Sequence, residues 1–109
     1  MDPRMKQLLR LANLVREREE TRLGQITAKR TAQEQNIQRL RNALPDPDPT
    51  EDYTRLGGWE RARLWHDTQI VQCNQKLTQI RAAQNDQAPR TARARARYEV
   101  LKRMTGKKS

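Results

Sequence analysis

Leu44-Pro45-Asp46-Pro47-Asp48-Pro49 cannot continue a helix. Each proline lacks an amide donor and biases the residue before it away from helical backbone angles, so three at alternate positions end the periodic structure that leads into them. Thr50, Glu51 and Asp52 then read as a cap followed by an acidic first turn, soon interrupted by Gly57-Gly58. Residues 45–57 are therefore a tip, with room for one short turn around Tyr53–Leu56.

Toward the N-terminus, Asp2-Pro3 is a helix opening: the carboxylate can accept from free amides, and the proline fixes φ without wasting a donor. No proline lies between Pro3 and Leu44, which predicts a first helix over 3–44. Its apolar residues recur at helical spacing: Leu8, Leu11 and Val15, then Leu23 and Ile26, then Ile37, Leu40 and Leu44. Arg30 and Gln33 fill the intermediate seam positions, and the successive fours of Val15, Glu19 and Leu23 read as a stutter in the heptad pattern.

Toward the C-terminus, Trp59, Ala62, His66, Ile70, Cys73, Leu77 and Ile80 follow the a/d spacing of a coiled-coil seam. The count continues through Gln84, Gln87, Thr91, Ala94, Tyr98 and Leu101. A second helix is expected over 58–104, kinked or broken near 85–89 by Asn85-Asp86-Gln87-Ala88-Pro89, with 105–109 as a frayed tail. Folding about the tip pairs Leu44 with Leu56, Leu40 with Trp59, Ile37 with Ala62, Arg30 with Ile70, Ile26 with Cys73, Leu23 with Leu77 and Val15 with Gln84. The expected fold is all-α, one antiparallel two-helix coiled-coil hairpin over 1–109.

Composition agrees with a single seam. Hydrophobic residues make up 34% of the chain, Phe is absent and the mean hydropathy is -1.15, too little apolar material for a many-layered core. The net charge of +10 calls for an acidic partner surface, whether protein, nucleic acid or anionic membrane. Cys73 stands alone, which excludes an intrachain disulfide and suits a reducing compartment. With no signal-like start and no apolar run near the ~20 residues that span a bilayer, a cytoplasmic protein without membrane insertion is expected.

Chemistry has little to work with, and neither an enzyme nor a cofactor is expected. His66 sits on the seam, and Cys73 lies two turns away, roughly 10 Å of rise and out of hydrogen-bond reach. Gly57-Gly58 lacks the further glycine and lysine of a phosphate-binding loop. Trp59 fits the seam and Trp65 flanks it; both can cover the hairpin near its tip, or Trp65 can serve as an aromatic anchor for a partner, joined by Tyr53.

The last helix carries the strongest functional signal. Arg90, Arg93, Arg95, Arg97, Lys102 and Arg103 are followed by Lys107 and Lys108, and Glu99 is the only acid after Asp86. Arg90, Arg93 and Arg97 share a face by spacing of three and four. The run Arg16–Arg22, balanced by Glu17, Glu19 and Glu20, reads as structural or solvating.

This layout resembles the FliJ family of flagellar type III export proteins and the related injectisome stalks. The resemblance rests on Leu8–Val15 before the charged run Arg16–Arg22, on Leu23-Gly24-Gln25-Ile26 opening a Gln-rich arm, on Trp59 and Ile70–Ile80, and on Arg93–Arg103 with Tyr98-Glu99. It implies an antiparallel coiled coil that acts as a non-enzymatic stalk in a hexameric export ATPase ring. It also implies contacts with the export gate and export chaperones, and a role in coupling ATP hydrolysis to export, with Arg90, Arg93, Arg97 and Arg103 as partner contacts. A small basic nucleic-acid-binding protein is the alternative, and a homodimer of four helices stays open.

Overall fold

A computed structural model describes residues 2–43 and 57–106 of the chain. The described residues form two helices, α1 over Pro3–Ala43 and α2 over Gly58–Gly106, and no strand. The protein is an all-α helical hairpin. The expected tip with Tyr53, the Leu44–Leu56 pairing and the tail beyond Gly106 lie outside the described residues. Asp2 opens α1 by accepting the Arg4 amide at 3.0 Å. Gly57, at φ 79°, turns the chain into α2, and its carbonyl accepts the Arg61 amide at 3.2 Å.

The chain divides into two compact units, Lys29–Arg81 and the pair of segments Met1–Ala28 with Ala82–Ser109. In the first, Ile37, Cys73 and Leu77 form the buried cluster, with Leu40 and Ile70 packed against it. The Asn36 side-chain amide donates to the Cys73 sulfur at 3.4 Å across the seam. Counting from the tip had put Cys73 opposite Ile26 and Leu77 opposite Leu23. The observed register brings Ile70, where Trp59 was expected, to the cluster that holds Leu40, a slip of about three turns.

Polar matching explains the slip. In the tip-counted register Glu19 would face Ile80, and its carboxylate would be buried against a side chain that cannot hydrogen-bond. In the observed register Glu19 meets Gln87 and Thr91, within the unit formed by Met1–Ala28 and Ala82–Ser109. The Gln87 amide donates to the Glu19 carboxylate and lies 3.3 Å from the Thr91 hydroxyl. That hydroxyl, on a residue with 0% exposure, sits 3.1 Å from the Glu19 carbonyl and 3.2 Å from the Gln87 carbonyl. Arg95 donates to Glu20 at 2.7 Å, and Gln84 to the Thr27 hydroxyl at 3.4 Å. The Arg16 guanidinium lies 4.8 Å from the centre of the Tyr98 ring.

Two further expectations are corrected. α2 runs through Pro89 as unbroken helix, with no break over 85–89. Pro89 is exposed, while Gln87 and Thr91 on either side of it are buried and bonded to α1. The lost amide bond to Asn85, a cost of about 3 kcal/mol in an isolated helix, is offset by that docking. There is also no stutter in α1. A run turned away from water, Met5, Leu9, Ala12, Arg16, Glu19, Leu23 and Ile26, goes on in threes and fours to Leu40, flanked by half-buried Asn13 and Glu20. Leu8, Leu11 and Val15 are instead exposed at 48%, 59% and 38%.

Candidate interaction surface

Arg90, Arg93 and Arg97 fall on one face of α2 because three- and four-residue steps nearly complete a helical turn. Ala94 between them is buried against α1, which fixes that face beside Val15, Arg18 and Glu19. Together these residues line a cleft of about 280 Å³. Arg18 was missed by the sequence reading, which treated Arg16–Arg22 as solvating. It pairs with Glu19 at 3.2 Å while lining the cleft.

The arginines differ in what they already hold. Arg90 faces Asp86 at 3.7 Å and Arg95 is bonded to Glu20. Arg93, Arg97 and Arg103 have no carboxylate partner among the described residues. Glu19 and Glu20 are held below the usual carboxylate range. For Glu19 the Gln87 hydrogen bond is the main cause, opposed by burial and reinforced by Arg18 and Arg22. For Glu20 the Arg95 hydrogen bond leads, again opposed by burial and reinforced by Arg16. Both carboxylates therefore stay charged and committed to the seam, leaving Arg93 and Arg97 to solvent or a partner.

Beside this cleft runs a second, apolar one of about 550 Å³, walled by Leu8, Leu11 and Val15 of α1 and Ala96, Val100 and Leu101 of α2. Val15 and Arg97 line both clefts. The signal that locates the apolar cleft was present in the sequence. Stepping back from Ile26 and Leu23 by threes and fours reaches Arg16, Ala12 and Leu9, so Leu8, Leu11 and Val15 form a second, surplus apolar stripe.

The remaining predicted residues sit apart from the clefts. Arg103 is exposed on α2 but lines neither. Trp65 belongs to the unit Lys29–Arg81, is 57% exposed, and meets the His66 ring edge-on at 5.2 Å. Trp59 is half-buried with the Arg63 guanidinium 5.2 Å from its ring. His66 bonds through Nδ1 to the Ala62 carbonyl at 3.0 Å, and Cys73 is buried. Among the described residues no three His, Cys, Asp or Glu side chains gather to hold a metal, and no helix is long and apolar enough to cross a membrane.

No family model, curated protein or solved structure matches the chain.

Proposed function

We propose that this protein is a non-enzymatic stalk or adaptor of a bacterial flagellar (type III) export apparatus, working in the cytoplasm. It would bind a hexameric export ATPase ring and the export gate, receive export chaperones, and couple ATPase activity to export. The observation that carries the proposal is a helical hairpin with a face of arginines, of which Arg93 and Arg97 form no ion pair with a carboxylate of the described chain. A solvated face alone does not require such an imbalance; a carboxylate-bearing protein surface would complete it. The polar seam supports the same reading, since buried hydrogen-bonded layers hold two helices in one register, as a part that transmits force requires.

Co-purification with a hexameric export ATPase, and a change in its assembly or turnover, is the expected result. Replacing Arg93 and Arg97 together by Ala should weaken that association at least about tenfold, a loss of two charge-assisted contacts, with the helical circular dichroism spectrum unchanged. Unchanged association removes this face from the interface. Retention on duplex DNA that falls steeply with salt, and that the same substitutions abolish, would assign the face to phosphates instead.

A further inference from the structure

The apolar cleft beside the arginine face is left unused by the stalk reading. Exposed Leu8, Leu11 and Val15 line up two turns along α1, and Val100 and Leu101 form the opposite wall on α2. Large apolar side chains left in water on a small protein mark a docking site when they are contiguous and rimmed by polar groups. Arg97 is the one charged residue in the cleft's lining, and the sequence on both arms beside it is basic. Over 3–15 and 90–106 the only acid is Glu99, against Arg4, Lys6 and Arg10 on α1 and Arg93, Arg97 and Arg103 on α2.

We propose that this cleft docks one acidic amphipathic helix of a partner protein, with apolar side chains seated between α1 and α2 and carboxylates facing Arg93 and Arg97. Shape and charge select that occupant. The cleft is a trough between two helices, the form that receives a helix through anchors at i, i+3 or i+4 and i+7. A bilayer surface would be met by one helix's convex apolar face rather than a trough. A second copy of this chain would bring the same basic rim against itself, and like charges across an interface are costly. An acidic helix matches both the trough and its rim. The trough shares Arg97 with the arginine face offered to the ATPase, but Leu11 and Val100 line the trough alone and report on it independently.

The test uses the full chain and a fluorescein-labelled peptide of about 18 residues, five helical turns, with Leu at i, i+3, i+4 and i+7 and Glu on the flanks. A scrambled peptide of the same composition is the control. Fluorescence anisotropy should show binding of the patterned peptide and at least about tenfold weaker binding of the scrambled one. Leu11→Gln and Val100→Gln, at exposed positions and without change of charge, should each weaken binding by about tenfold. Val71→Gln, equally exposed in the unit Lys29–Arg81, should leave it unchanged. Leu11→Gln should also leave ATPase co-purification intact, so failure of this site is separable from failure of the stalk reading.

Equal binding of both peptides, or indifference to Leu11→Gln and Val100→Gln, overturns the proposal. So does Leu11-dependent binding to phosphatidylserine vesicles with none to the peptide, which would make the surface a membrane site. Leu11-dependent self-association in sedimentation, again without peptide binding, would assign the trough to a second copy and overturns it equally.

Discussion

The two units close the same kind of seam with opposite materials. In Lys29–Arg81 the buried side chains are those of Ile37, Cys73 and Leu77; where Met1–Ala28 packs with Ala82–Ser109 they include Glu19, Gln87 and Thr91. The buried residues are spaced by threes and fours in both, so the helical geometry is shared and the chemistry differs. Apolar contacts supply burial but are indifferent to a slip of one heptad, because another apolar residue can take the vacated place. A carboxylate that needs the Gln87 amide, beside a Thr91 hydroxyl with no exposure, tolerates no such slip. One unit contributes stability without register, and the other contributes register.

Leu77→Ala should break this comparison most severely. Removing a buried leucine from the apolar cluster should cost about 2–5 kcal/mol, read as a large fall in the thermal midpoint by circular dichroism. The exchange protection of amides near Glu19 should outlast that of amides near Ile37. If both regions lose protection together, the division of labour fails.

Pro89→Ala should move stability in the other direction. The exposed proline leaves the Asn85 carbonyl without its helical donor, and alanine restores it, a gain of up to about 3 kcal/mol. Hydrogen exchange should slow most over residues 85–93. No gain would mean that the helix at this point has already adjusted and that the docking of Gln87 and Thr91 offsets nothing.

Acidification should have the smallest effect and the most local one. Glu19 and Glu20 carry pKa values lowered from 4.5, chiefly by the Gln87 and Arg95 hydrogen bonds respectively. A depressed folded pKa gives stability that is complete above the unfolded value and is lost as pH falls through the folded one. The thermal midpoint should hold steady above pH 4.5 and decline below it, with Glu19→Gln and Glu20→Gln together flattening the decline. An acid profile unchanged by both substitutions would show that these carboxylates do not couple to folding.

The α2 seam was legible from Trp59 to Leu101, because the apolar residues of 59–80 set a count that the polar positions beyond them could inherit. The first third of α1 was misread for a related reason. Leu8, Leu11 and Val15 are more hydrophobic than Ala12 and Arg16, and judging by hydrophobicity placed them in the seam where counting from Ile26 would not. Counting the register from the proline stretch gave the turn an authority that belongs to the buried polar groups. Pro89 misled because a local cost of a few kcal/mol is visible in the sequence, while the tertiary contacts that offset it are not. The arginine face was legible as spacing and charge. The trough beside it was hidden because its leucines had already been assigned elsewhere.

The heptad count along α1, and along α2 from Ile70 onward, also governs how such a chain can change length. One residue inserted into either arm turns everything beyond it by about 100° and swings the seam residues out to water. Seven inserted residues return every side chain to its face, and seven in both arms also restore each residue's neighbour across the seam. Homologous chains should therefore differ in arm length by sevens, taken in pairs, with tolerance for other lengths confined to the stretch between the arms.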